Sequence, residues 1–223
     1  MLTLPLSRPD GAPLNVLCLG AHCDDIEIGC GATVLAMAQS APIHVHWHVF
    51  TSTPERRLEA EAGAAAFCER AASLTVDILD FRDGFLPYEG TAVKEAFEDL
   101  KQRVQPDLVL THYRGDAHQD HRKVSELTWN TFRNHLVLEY EIPKWDGDLG
   151  QPNVFFPIDA EIAERKIALL QQIYNSQNTK RWFTDDLFHG LMRLRGMEAN
   201  SASNLAEAFY ARKINVGMPG AAD

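Results

Sequence analysis

Apolar, β-branched runs recur along the chain at wide intervals: "LNVLCLG", "IHVHWHVF", "LTVDILD", "DLVLTH", "LVLEYEI" and "NVFFPI". Each has strand length, and most are more continuous than a strand with one wet face would be. Strands buried on both sides read this way. Between most of them the period changes. Val93, Phe97, Leu100 and Val104 are spaced so that they share one helical face. Ile162, Leu169, Leu170 and Ile173 repeat the pattern, and "ERRLEAEAGAAAFCERA" favours helix by propensity. This alternation predicts an α/β fold, a Rossmann-like three-layer sandwich with a mostly parallel sheet covered on both faces. Ligands bind such sheets beyond the carboxyl ends of the strands. "EIPKWDGDLGQPNVFF" holds two prolines, two glycines and three acids, and it reads as a long loop or hairpin.

Two strand ends carry unusual chemistry. After the first run comes "GAHCDDIEIGCG", in which a histidine and paired aspartates crowd among glycines. One reading is a glycine-rich loop holding S-adenosylmethionine, as in many methyltransferases. Against it, the strand ends at Gly20, well before "GCG", and the third glycine of GxGxxG is replaced by Val34. The other reading starts a helix near Asp24. Gly29 and Gly31 then lie inside that helix, at about 1 kcal/mol each relative to alanine. The cost is tolerable if the bare positions let the helix lie close on the sheet. His22 in the turn and Asp25 in the first helical turn can aim at one spot, as ligands of a catalytic zinc would. A third ligand is sought in "THYRGDAHQDHRK", where a strand ends near His112 and a helix opens near Asp120. His118 or His121 would sit at the same sheet edge as His22.

"AHCDD" followed about a hundred residues later by "HQDH" resembles the PIG-L/LmbE-like deacetylases, whose signature is AHxDD with HxDH. The likeness extends through "RRLEAEAGAA", "PDLVLTH", "RKIALLQQIYNSQ" and "AEAFY", across residues 15–211. It implies a zinc-dependent hydrolase removing an N-acetyl (N-acyl) group from a small-molecule amino sugar or a conjugate of one. Iron or another divalent metal is also admissible. By resemblance, His22, Asp25 and His121 match the metal ligands and Asp24 the general base. A protonated His118 would stabilise the oxyanion and then protonate the leaving amine. Asp120 would orient His118 and raise its pKa. Arg56 and Asp83 match positions that contact sugar hydroxyls, with Arg57 a rival in register. Cys23 stands where proline is usual. Asp116 occupies a place that is tyrosine in some relatives, and Tyr113 lies close by in sequence.

Composition narrows the setting. A chain of 223 residues fits one domain, here 1–223. Its charge, 21 basic minus 31 acidic, is -10, which argues against nucleic acid or anionic membrane as partners. The start has no secretory pattern, and no run has the length of a membrane span. Four cysteines without a CxxC pair read as reduced thiols in a cytoplasmic protein. Homo-oligomerisation is left open. His44, His46 and His48 share a strand face with no carboxylate or cysteine near them in sequence, so they read as a polar face rather than a second metal site. His112 is the chief rival ligand. A non-catalytic metal-binding protein is the alternative of another class, opposed by the presence of Asp24 and His118, which binding alone does not require. The tail "NVGMPGAAD" reads as frayed.

Overall fold

Among the described residues, seven strands hydrogen-bond into one sheet in the order β3-β2-β1-β4-β5-β7-β6. They are β1 (Leu14–Gly20), β2 (Ile43–Thr51), β3 (Ser73–Phe81), β4 (Leu108–His112), β5 (Leu136–Tyr140), β6 (Val154–Pro157) and β7 (Ala206–Ala211). The computed structural model describes residues 2–8 and 10–217, so most of the frayed-tail expectation lies outside the described residues. The first five strands run parallel, while β7 pairs antiparallel with β5 and β6. The mostly parallel sandwich expected from the alternation is thus observed. The β7 segment, "AEAFYA", was not anticipated as a strand. It has no β-branched residue, three of its six residues are alanine and Glu207 interrupts it, so it gives no strand-like apolar run.

Among the described residues, six α-helices cover the sheet: α1 (Asp25–Ser40), α2 (Pro54–Phe67), α3 (Gly90–Arg103), α4 (Gln119–Thr131), α5 (Ala160–Ile173) and α6 (Asp185–Ala199). Alternate residues of each strand feed opposite cores. Val16 and Cys18 pack with Val34, Ala64, Phe67 and Leu170 from α1, α2 and α5. Leu17 and Leu19 pack with Val93, Phe97, Leu100 and Val124 from α3 and α4. No described helix is long and apolar enough to cross a membrane.

Helix α1 packs tightly, and its glycines explain how. A Cβ at Gly29 would overlap the ring of Tyr140, and one at Gly31 would overlap Phe67. "EIGCG" is therefore packed helix interior with no opening for a cofactor, which overturns the methyltransferase alternative. The helix also breaks at Cys30, whose backbone is non-helical (φ -143°, ψ 15°). The orphaned groups are spliced from outside. Glu207 of β7 accepts from Ala32 N (3.0 Å) and Thr33 N (2.7 Å). Lys166 of α5 donates to Ile28 O and to Glu207, each at 2.6 Å. Both side chains are 3% exposed. One buried ion pair thus repairs the break and ties α1 to α5 and β7.

Removing one partner of a buried pair strands the other charge, at roughly 3–5 kcal/mol. Lys166→Met should lower unfolding stability by about that amount, read as an earlier urea midpoint at unchanged m-value. A loss under about 1 kcal/mol would mean that water already shares the Glu207 site.

Candidate active site

Counting outward from β1, the chain lays β2 and β3 on one side and β4 and β5 on the other. The carboxyl ends of β1 and β4 therefore lie side by side where the order reverses, which is where open α/β sheets bind ligands. A cavity of about 730 Å³ opens there. His22, Asp24 and Asp25 enter it from the turn after β1, His118 and His121 from the start of α4, and Arg56 from α2. Asp83 follows β3, Lys144 and Trp145 follow β5, and Lys180 and Trp182 precede α6.

Asp25 is the hub. It accepts His22 N at 2.6 Å, and Oδ2 lies 3.2 Å from both His22 Nδ1 and His112 Nε2. Its Oδ1 lies 3.4 Å from His121 Nε2, and His22 Nδ1 stands 3.1 Å from His121 Nε2. Burial pushes the Asp25 carboxyl up, but His121, His22 and His112 outweigh it and hold it well below the usual range. Burial likewise disfavours charge on His22 and His121, yet Asp25 and the other carboxylates around them raise both.

Hydrogen-bond partners fix which nitrogen of each ring carries hydrogen. His121 Nδ1 faces Asp116 Oδ2 at 2.9 Å, so its hydrogen sits there and the Nε2 lone pair points at Asp25. His22 Nε2 faces Asp83 Oδ1 at 3.1 Å and Asp120 Oδ2 at 3.3 Å, which turns its Nδ1 lone pair to the same spot. His118 is the N-cap of α4, and its Nδ1 accepts from Asp120 N at 3.2 Å. Its hydrogen is therefore on Nε2. His112 Nε2 accepts from Ala21 N at 2.9 Å, and burial pushes its pKa down to about 4. The lone pair of His112 is spent on the backbone, so this rival ligand is a fully buried support beneath the site.

Two lone pairs and a carboxylate thus converge with separations of 3.1–3.4 Å. Bonds of about 2.0–2.2 Å to a tetrahedral ion would set its ligands roughly 3.3–3.6 Å apart. The residues present therefore fit a divalent metal, and each imidazole already has the carboxylate partner that metal-ligating histidines take.

Asp24 is also buried, and its Oδ1 accepts from Arg56 at 2.7 Å. Burial raises its pKa, with Arg56 pulling the other way. The other guanidinium nitrogen of Arg56 binds Glu59 and Ser176, each at 2.8 Å. Arg57 instead donates to Ile78 O, so Arg56 is the arginine at the cavity. Asp83 is 76% exposed at the mouth.

Two expectations change, and the open place of Tyr113 is decided. Asp120 does not bond the His118 ring through its carboxylate. Its oxygens accept from Gly84 N and Leu86 N and face His22, so it anchors the loop after β3 and orients His22. The pKa of His118 is lowered rather than raised, first by burial and then by the charge of His121 and His22. Tyr113 stacks on Tyr210 at 3.9 Å and is not part of the cavity wall. Sequence reasoning gave no role to Asp116, which holds His121 and is itself held by Lys144 at 3.0 Å. Its place three residues before Gln119 in "GDAHQDH" was the available signal. Cys23, at the usual proline position, donates its thiol to Thr51 O and leaves the site residues in place.

Known proteins bear on this arrangement. Residues 17–132 match the PIG-L family, described as GlcNAc-PI de-N-acetylase. The uncharacterized deacetylase YaiS of Escherichia coli (strain K12) is 30% identical over 169 residues, 71% of this chain and 89% of that protein. The fold is shared with N,N'-diacetylchitobiose deacetylase from Pyrococcus horikoshii (TM-score 0.69, 19% identity, 93% of this chain and 86% of that one). It is shared as well with GalB, the 4-carboxy-2-hydroxymuconate hydratase of Pseudomonas putida KT2440 (TM-score 0.74, 18% identity, 93% and 100%). The family match covers more than half of the chain and includes both histidine-bearing strand ends, so this chain belongs to the PIG-L family.

Proposed function

We propose that the chain is a zinc-dependent amide hydrolase that removes an N-acetyl (N-acyl) group from an amino sugar or its conjugate. His22, Asp25 and His121 would hold the metal. The carrying observation is the division of labour among the ring nitrogens. Two lone pairs face Asp25, while His118 presents an N–H from Nε2 at the same cavity. The family and the deacetylase relative support the reaction class. The Pyrococcus neighbour, by its name, acts on a diacetylated amino sugar. The cavity mouth suits a sugar: Trp145, 73% exposed, offers a flat apolar face, and Asp83 offers free acceptor capacity for hydroxyls.

When bound, the ion would polarise the acyl oxygen and lower the pKa of water to roughly 7. Asp24, kept in place by Arg56, takes the proton from the attacking water. Its buried, raised carboxyl can then pass that proton to the leaving amine. His118 donates its Nε2 hydrogen to the developing oxyanion. A neutral ring suffices for this role, which agrees with the direction of its shift and replaces the imidazolium of the sequence reading. Metal-loaded protein incubated with free, lipid-linked and nucleotide-linked N-acetylated amino sugars should release acetate from at least one class. Failure on all three, with metal bound, would favour a non-catalytic binder.

His22→Ala, Asp25→Ala and His121→Ala should each lose the active-site metal and hydrolysis together, whereas His118→Ala should keep its metal and lose turnover. Metal analysis after desalting reads the difference, and loss of metal in His118→Ala would exchange the roles of the two helix α4 histidines.

Asp24→Asn should retain metal and substrate binding while turnover falls about 10²–10⁴-fold. Near-normal turnover would move the base elsewhere.

Asp116→Asn removes the charge that holds His121 and should weaken metal binding about 10–100-fold. Competition against a chelator of known affinity measures this, and an unchanged constant would make Asp116 a partner of Lys144 alone.

A further inference from the structure

A second cluster of metal-ligating side chains lies away from the cavity, on β2 and β3. His46 and His48 project from the same face of β2, and the register sets Asp77 of the edge strand β3 opposite His48. The expectation that no carboxylate joins these histidines is therefore corrected: Asp77 was thirty residues away in sequence and is adjacent across the sheet. His46 Nε2 lies 2.8 Å from Asp77 Oδ2, and His48 Nδ1 stops 3.6 Å from the same oxygen. One atom from each of the three residues falls within 4.8 Å of the others.

His48 is the telling member. Its ring is 1% exposed, and neither nitrogen makes a hydrogen bond within the described residues. A buried, unpartnered imidazole is a standing cost to folding, and it is rarely kept without a partner that arrives later. Burial pushes its pKa down, so the ring is neutral and its lone pair is available. His46 and Asp77 are only partly covered, which leaves solvent access for an ion. Two imidazoles and one carboxylate suit zinc, nickel, cobalt or copper and not magnesium or calcium. Arg103, in the last turn of α3, currently shares the position: it reaches Asp77 Oδ2 at 2.9 Å and Asp99 at 2.9 Å. Its side chain is 42% exposed, so it can swing away while keeping Asp99.

We propose that His46, His48 and Asp77 form a second divalent transition-metal site, independent of the catalytic cavity, that staples the edge strand β3 to β2. Arg103 competes with the ion for Asp77 and sets the affinity of the site.

The test uses the full chain and zinc alone, with nickel as a second probe. After metal removal and titration, wild type should bind two equivalents, His22→Ala one, and His22→Ala/His46→Ala none. His46→Ala by itself should bind one and keep the wild-type specific activity. Arg103→Ala should tighten the second equivalent several-fold, because it removes the competing cation without touching a ligand. A wild type that binds a single equivalent, lost in His22→Ala, would overturn the proposal. So would a second equivalent that survives Asp77→Asn and His46→Ala. Because His48 is buried, it is left intact in every variant, and thermal unfolding checks that each one folds.

Discussion

A buried carboxylate ringed by three imidazoles organises this molecule. Asp25 cannot be charged in that place without compensation, since the desolvation of a carboxylate costs several kcal/mol. His22 and His121 provide it while neutral His112 packs against it, and each of the three rings must be held in turn. Asp116 holds His121, Asp120 and Asp83 hold His22, and the backbone of Ala21 holds His112. The result is a shell of acids outside a shell of histidines around one acid. Such alternation carries a net demand for positive charge at the centre, which protons or a divalent cation can meet.

That shell needs a rigid floor. Asp25 opens α1, so a rotation of α1 would move Asp25 and Asp24 together. The helix is kept from rotating by its two bare positions, filled by Tyr140 and Phe67. Tyr140 also donates to Leu19 O at 2.6 Å and stands 3.2 Å from His112, so the residue that seats the helix touches the support of the site. Behind the break at Cys30, Lys166 and Glu207 fix the second half of the helix. The packing of α1 and the aim of its aspartates are thus one structural problem with one solution.

The wall of the cavity is secured by the same means at its far side. The loop after β5 has no regular structure, yet it brings Lys144 and Trp145 to the site. Glu141 at its start is gripped by Arg195 of α6 through two bonds at 2.7 and 2.8 Å, and Arg195 also binds Gly150 O at 3.1 Å. This spends Arg195 on a buried fork, while Lys180, before α6, lines the cavity. An arginine fork suits this task because its planar donors fix direction as well as distance.

Much of this was legible in residue order. The apolar runs marked six of the seven described strands, because burial on both faces of a parallel sheet leaves a strong local pattern. Spacing and propensity located α2, α3 and α5, and the polar strand ends located the starts of α1 and α4. "AHCDD" and "HQDH" placed His22, Asp24, Asp25, His118 and His121 at adjacent strand ends, since a strand end and a helix start are local events. Partners that act across the sheet were not legible. Asp120 turned out to serve His22 instead of His118, Asp77 joined His46 and His48, and Glu207 reached α1 from a strand with no apolar signal. The ring tautomers were equally hidden, because each depends on a group distant in sequence or on a backbone N–H placed by the fold. Local chemistry can be read from spacing, whereas the pairing of charges is decided only when separate strands are laid side by side.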